Sequence, residues 1–588
     1  MNLTRREFSK LIACAASTPP SLGSEAISAL ASANSSARLE SFNYSGVRLL
    51  DGRLKRQFDA CREIFYNIPN DSILFGFRQR AGLPSPGTGL DGWYGKDYFN
   101  AFGQYLAGMA RMAKATGDTP LRDKAVLLMH EWGRTIEPDG FSFYTRKPNV
   151  THYPYEKTMG GLNDIYEYAG EKEALVYADR ITDWAIKNLD RARQNPPDGG
   201  GTEWYTLSEN LYRGYLNSGD PKYLKFAQVW HYDKYWNDYA AGHPNVIGLH
   251  AYSHVNTLSS AAMAYRVSGD PKYLRTIVSA YDYLQQTQCY ATGGYGPAEN
   301  LLPDDGSLGA SLEDSFDTFE TPCGSWAGFK LSRYLIGFTG EARYGDWVER
   351  LTYNCIGAAL PVTAAGDTFY YSDYRICGGA KVYYEKTWPC CSGTYPQAVA
   401  DYHNLIYFKD RDGLYVNLFV PSEVTWHRGD QDVVVRQQTT YPENGLVQLA
   451  IAPQKPVEMP LHFRVPGFAA NGVSVKINGA PQPVNTQPGT WATINRQWKP
   501  GDTMELQIPL ELTFAPIDKQ HPKRVAVIRG PSVLVRQGQA PLPDFAKWAS
   551  EKDSPATFEV SSSAMSRFVP FYRVAKNQPY QMYFDLEA

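Results

Sequence analysis

Ser268-Gly269-Asp270-Pro271-Lys272-Tyr273-Leu274 passes from the end of one helix to the start of the next in seven residues. The glycine can end a helix in the left-handed conformation, the aspartate can cap the next N-terminus, and the proline fits its first turn. Downstream, Tyr273, Leu274, Ile277, Val278, Tyr281 and Leu284 recur at helical spacing. The same pattern of small residue, glycine and acid stands at Thr116-Gly117-Asp118, Ala169-Gly170-Glu171, Ser218-Gly219-Asp220 and Thr339-Gly340-Glu341. Successive glycines lie 53, 49, 50 and 71 residues apart. Helical hairpins repeating at about fifty residues predict a solenoid or a closed α/α toroid. The longer last interval predicts an inserted, functional loop between Cys289 and Cys323.

Near residue 411 the texture changes. Leu414, Val416, Leu418 and Val420 alternate at strand period, as do Met504, Leu506 and Ile508. Val473, Val475 and Ile477 do the same and run into an Asn478-Gly479 turn. The expected architecture is multidomain α+β: a helical toroid over residues 40–410, an antiparallel β-sandwich over 411–515, and a β-rich segment over 516–588. A chain of 588 residues exceeds a single core, since domains run to roughly 100–200 residues.

The N-terminus carries a different message. Thr4-Arg5-Arg6-Glu7-Phe8-Ser9-Lys10 and the Ala-rich stretch to Ala33 resemble a twin-arginine export signal, with Ala29-Leu30-Ala31 as its cleavage site. Residues 1–33 are set aside from the fold, and the mature chain is expected in the periplasm or outside the cell. Leu11-Ile12-Ala13-Cys14 also matches a lipobox behind a short apolar run. A formal net charge of −3 gives no basic field for nucleic acid or an anionic membrane surface, and no later stretch is apolar enough for stable membrane insertion. The 41 Tyr, 26 Phe and 13 Trp offer flat faces on which sugars stack, although helical cores also consume such residues. An oligosaccharide or plant glycan is the expected partner.

Two groups of residues can carry chemistry. Glu320 and Cys323 stand in Phe319-Glu320-Thr321-Pro322-Cys323-Gly324, and Cys390 and Cys391 in Trp388-Pro389-Cys390-Cys391-Ser392-Gly393. Thiolates and a carboxylate suit Zn²⁺, and a bound sulfur can serve as an ionised nucleophile. Exported proteins also use cysteines for disulfides, so Cys323 paired with Cys390 or Cys391 is the competing reading. The second group is Glu299, after the glycine-rich turn Gly293-Gly294-Tyr295-Gly296, with His250 and His254 four apart on an expected helix. Glu203 and Tyr205, behind the glycines at 199–201, can line the same mouth.

Read in order, these motifs are similar to a known family. Residues 70–78 and 81–84, Gly248-Leu249-His250-Ala251, Phe319 to Gly324, Cys390 to Thr394, Phe463 to Phe468 and Arg496 to Asp502 resemble the bacterial β-L-arabinofuranosidases, glycoside hydrolase family 127 and relatives, over roughly residues 45 to 540. The resemblance implies an (α/α)6 barrel with C-terminal β-sandwiches and a retaining mechanism. It implies zinc held by Glu320, Cys323, Cys390 and Cys391, with Cys390 as nucleophile and Glu299 as acid and then base. His250 and Tyr371 match sugar-contacting positions. Two intervening residues separate Glu320 from Cys323 where better-known members have one. Glu156 and Lys157 stand near the place of a histidine that the family often shows, and the segment after Glu299 is unusually acidic. The implied sugar is β-L-arabinofuranose, another furanose, or a deoxy sugar of plant pectin. A polysaccharide lyase on a similar toroid and an inactive carbohydrate-binding protein are the alternative readings.

Overall fold

The computed structural model describes residues 37–191, 202–538, 549–551, 554–559 and 567–586. The export signal, Cys14 and the glycines at 199–201 lie outside them. Six helices, Phe102–Thr116, His152–Asp164, Leu207–Ser218, Ala251–Ser268, Thr321–Thr339 and Cys390–Ala400, each pack on the next, and the last returns to the first. This closed inner ring is buried almost throughout: all residues of Cys390–Ala400 and most of Phe102–Thr116 are inside. Arg53–Asn67, Thr119–Gly133, Glu173–Asn188, Pro221–Val229, Pro271–Thr287 and Gly345–Asn354 pack outside it, completing an (α/α)6 toroid.

The repeated signature behaves as the chemistry demands. Gly117, Gly170, Gly219, Gly269 and Gly340 all end helices in the left-handed region. Asp118, Asp220 and Asp270 each accept a hydrogen bond from a backbone N–H of the following helix, with proline in the first turn. Inside the ring, Gly103 permits a close crossing of the first two helices. A Cβ there would stand 2.1 Å from the Lys157 carbonyl oxygen. Among the described residues no helix is long and apolar enough to cross a membrane.

Three sheets follow. Strands Tyr407–Lys409, Leu414–Val416, Val457–Arg464 and Trp491–Trp498 form one face of a sandwich, and Ser422–Arg428, Gln431–Thr439, Leu446–Pro453, Asp502–Gln507 and Ser474–Ile477 the other. Each face is extended by a strand that precedes the barrel, Glu40–Ser41 on the first and Val47–Leu49 on the second. The predicted hairpin at Asn478-Gly479 is present, with φ of 50° and 79°. One expectation is corrected. Leu418 and Val420 lie beyond the strand, which ends at Val416. The sandwich also has a parallel pairing, Leu414–Val416 against Val457–Arg464, because the chain visits the other sheet before returning.

The sandwich is fastened to the barrel by Arg464, wholly buried, whose guanidinium pairs with Asp346 and Glu349 of an outer helix. A third sheet, built on Arg524–Arg529 and Ser532–Gln537, completes the described chain. Its last segment crosses back to the barrel. Tyr580 pairs with Gly379, its hydroxyl donates to the Asp373 carbonyl, and Gln581 donates to the Ile376 carbonyl. Buried Lys381 donates to the carbonyls of Ala358 and Phe571.

Candidate active site

The inner helices begin at one end of the barrel, and their first residues meet there. Tyr153, near the start of His152–Asp164, has Cys390, Cys323, Glu203 and Glu156 as titratable neighbours. His250 is the N-cap of Ala251–Ser268, Glu320 the N-cap of Thr321–Thr339, and Cys390 the first residue of Cys390–Ala400. His250 thus precedes its helix, correcting the expectation that it lies on it. Each helix N-terminus carries roughly half a positive charge, so converging starts favour anionic side chains.

Glu320, Cys323, Cys390 and Cys391 are all buried, and one ligand atom from each lies within 4.8 Å of the others. The Sγ atoms of Cys391 and Cys323 are 3.1 Å apart and those of Cys323 and Cys390 3.9 Å. Glu320 Oε1 lies 3.3 Å from Cys391 Sγ and 3.7 Å from Cys390 Sγ. The longer gap between Glu320 and Cys323 does not part them. An N-cap residue and the third residue of its helix face each other, and those are the two places they occupy. All seven described cysteines are free, so the disulfide between Cys323 and the pair is absent.

Phe319–Glu320 pairs antiparallel with Tyr371–Ser372, and the Thr321 N–H donates to the Tyr370 carbonyl at 2.7 Å. This short ladder carries both tyrosines to the site. The Tyr370 hydroxyl sits 3.6 Å from Cys390 Sγ, and the Tyr371 hydroxyl donates to Glu299 Oε1. Glu299 Oε2 is 3.1 Å from His250 Nε2, while His250 Nδ1 is 2.8 Å from the Ser253 hydroxyl. Ala298 and Glu299 both have positive φ, 49° and 59°, a costly conformation for side-chain-bearing residues and one that concentrates at functional sites.

The charges are unevenly placed. Burial resists ionisation of Cys390, but hydrogen bonds from the Cys323 and Cys391 thiols and from Tyr370 outweigh it and hold its pKa far below the thiol range. Cys323 and Cys391 are pushed up by burial and by their thiol neighbours. Burial, then the charges of Cys390 and Glu299, push Glu320 far above the carboxylate range. Protein groups alone therefore support one thiolate here, and a bound cation would let the others ionise. For Glu299, burial is outweighed by the His250 hydrogen bond and charge, leaving it below the usual range. Burial opposes the charge on His250, yet Glu299, Glu320 and Glu203 lift it to about 10.

The other expected residues fall nearby. Glu203 is buried at the entry to Trp204–Thr206, close enough to act on His250 electrostatically. Tyr205 bonds to the Ser253 hydroxyl at 2.7 Å. His254 joins neither ligand group. Its ring lies 4.4 Å from that of Tyr205 at a tilt of 40°, it bonds to the His250 carbonyl, and burial holds it neutral with a pKa of about 3. Glu156 and Lys157 form a buried ion pair at 2.7 Å, and Lys157 donates to the Tyr252 hydroxyl. Sequence reasoning missed Tyr370. Strand alternation assigns neighbours to opposite faces, but Tyr370 precedes the strand that begins at Tyr371. A cavity of about 490 Å³ lies farther along the barrel, lined by Arg111, Glu209, Arg213, Lys330 and Arg333 among others, and none of the thiols, Glu299 or His250 lines it.

Comparison with known proteins places the chain in a family. The family model described as the β-L-arabinofuranosidase GH127 catalytic domain matches residues 46–404, and that of the GH127 middle domain matches 413–510. Among solved structures, a GH127 β-arabinofuranosidase superposes with a TM-score of 0.72 at 18% identity, covering 94% of this chain and 98% of that one. A GH127 β-L-arabinofuranosidase from Geobacillus stearothermophilus T6 gives 0.71 at 20% identity, covering 92% and 100%. A third, described as a glycoside hydrolase, gives 0.69 at 17%, covering 95% and 99%. No curated protein matches. With the family's catalytic domain spanning more than half of its length, and a buried Glu-Cys-Cys-Cys group able to hold a metal ion at the mouth, the chain belongs to the GH127 β-L-arabinofuranosidase family and is a glycoside hydrolase.

Proposed function

We propose that this chain is a retaining glycosidase that releases a non-reducing-end sugar, β-L-arabinofuranose or a related plant cell-wall sugar, through a zinc-bound Cys390 nucleophile. The observation that carries the reading is the four-donor group of Glu320, Cys323, Cys390 and Cys391 with Glu299 at its edge. The donors fit zinc. Thiolates bound at about 2.3 Å on tetrahedral corners stand roughly 3.8 Å apart, and the separations here run from 3.1 to 3.9 Å. Glu320 Oε2 is buried without a hydrogen-bond partner, as a carboxylate awaiting a cation would be. Zinc, when bound, would neutralise the cluster and keep its sulfurs ionised at neutral pH.

Cys390 attacks the anomeric carbon as the bond to the leaving oxygen breaks. The leaving oxygen takes a proton from Glu299, which draws on the His250 imidazolium 3.1 Å away. Glu299, returned to its carboxylate form, then accepts a proton from water as that water attacks the thioglycoside, and Cys390 leaves as thiolate. Two displacements at one carbon retain its configuration. His250, Tyr371 and Glu203 are the proposed hydroxyl contacts.

The test is turnover of an aryl β-L-arabinofuranoside by zinc-loaded protein, with the first-formed anomer read by NMR. Retention, and its loss in Cys390→Ala, are expected. Inversion, or an active Cys390→Ala, would overturn the mechanism. Zinc without turnover would redirect the search to other sugars. The Arg5-Arg6 start also supports export of the folded chain to the periplasm, which fractionation and N-terminal sequencing would check.

A further inference from the structure

An aromatic strip leaves the candidate active site on one side. It begins at Tyr371, whose hydroxyl holds Glu299. From there Phe316 lies 6.3 Å away edge to face and Tyr384 5.8 Å away. Tyr384 meets Trp93 at 6.0 Å, and Trp93 meets Tyr98 at 4.9 Å. Exposure grows outward: Tyr370, behind the strip, is 3% exposed, Tyr98 38% and Phe316 58%. Phe316 and Tyr98, two of the seven large hydrophobic residues exposed among the described residues, both belong to this strip. Exposed aromatic side chains joined to the catalytic groups in one run mark a ligand surface rather than scattered surface apolarity.

The chemistry says which part of a ligand would lie there. A general acid must touch the leaving oxygen, so the group beyond that oxygen leaves the pocket over the side chains adjoining Glu299. Those are Tyr371, Phe316 and Tyr384. We infer that this strip is the subsite for the leaving-group side of the substrate, and that it takes the apolar face of a glycan residue. The inference rests on the reading of Glu299 as acid and base. Aromatic faces suit the C–H face of a sugar ring.

The experiment compares kcat/KM for a β-L-arabinofuranosyl disaccharide with that for methyl β-L-arabinofuranoside, whose leaving group is too small to reach the strip. In Phe316→Ala the ratio of the two constants is expected to fall roughly fivefold, the scale of one lost stacking contact. Phe316→Trp should restore it. An unchanged ratio in Phe316→Ala, or a Phe316→Trp no better than Phe316→Ala, would overturn the subsite. Failure of the wild type to hydrolyse either compound would instead overturn the parent reading with this sugar, and the subsite with it. Because the ratio cancels the fraction of active protein, partial misfolding cannot imitate the effect.

Discussion

Two buried polar clusters share the interior of this barrel, one where the thiols meet at the helix starts and one around Arg111, Arg213 and Lys330. At the mouth, three thiols and Glu320 crowd together, like groups that cannot all ionise without a cation. Deeper in, signs alternate. Arg111 pairs with Asp164 at 2.7 Å and with Asp401, Arg213 with Asp164 and Glu167, and Lys330 with Glu209. The lower cluster pairs opposite charges across helices beside the cavity and holds those helices together. The upper one is incomplete without something added. Crowding of like donors distinguishes a site from a structural network when both are equally buried.

Four experiments would break or sharpen that contrast. Cys390→Ala should lower turnover by a factor on the order of a thousand or more while leaving the unfolding midpoint within a few degrees, measured by steady-state kinetics and calorimetry. A comparable loss of both would merge the two clusters into one structural unit. Asp164→Ala takes one of two carboxylate partners from each of Arg111 and Arg213, which keep Asp401 and Glu167, and should cost about 2–3 kcal/mol in denaturant unfolding, with kcat of the surviving folded fraction near wild type.

Asp97 tests an intermediate case, a buried carboxyl with neutral donors. Burial outweighs its bonds from Thr145 and lifts its pKa from 3.8 to about 6. A carboxyl protonated more readily when folded costs nothing below pH 3.8, and its cost grows until pH passes 6. Asp97→Asn should therefore stabilise the chain at pH 7 by up to about 3 kcal/mol and change little at pH 4, read from unfolding at both values. Equal effects at the two pH values would remove the titration from the account. The smallest effect expected is in Gly103→Ala. Its Cβ would meet the Lys157 backbone, which should cost about 1–3 kcal/mol in denaturant unfolding and remove no charged group from either cluster.

Much of this was legible in the chain, and the reason is locality. Gly269 and Asp270 act within a turn of their own position, so the pattern around them reports helix ends directly. The (α/α)6 toroid follows from repeating it. The paired cysteines and Glu320-Thr-Pro-Cys323 are likewise local, and the structure brings them together. What stayed hidden depends on chain closure. Nothing near residue 40 or 47 says that those strands extend a sandwich whose other strands begin at residue 407. Nothing beside Arg111 names Asp164 and Asp401, 53 and 290 positions away, as its partners. His250 looked like a helical residue because a cap and a first turn share the same sequence neighbourhood. Tyr370 reaches the thiol only through the ladder that Glu320 and Tyr371 form.

The strand that returns from the third sheet to Gly379 sets an order of events. Tyr580 follows Cys390 by 190 residues. At ordinary rates of synthesis that is roughly ten to forty seconds. For that interval the thiols exist without the strand that fastens the loop running on from Tyr370 and Tyr371. The last stretch of translation is thus what ties that loop to the third sheet, through Tyr580 and Gln581.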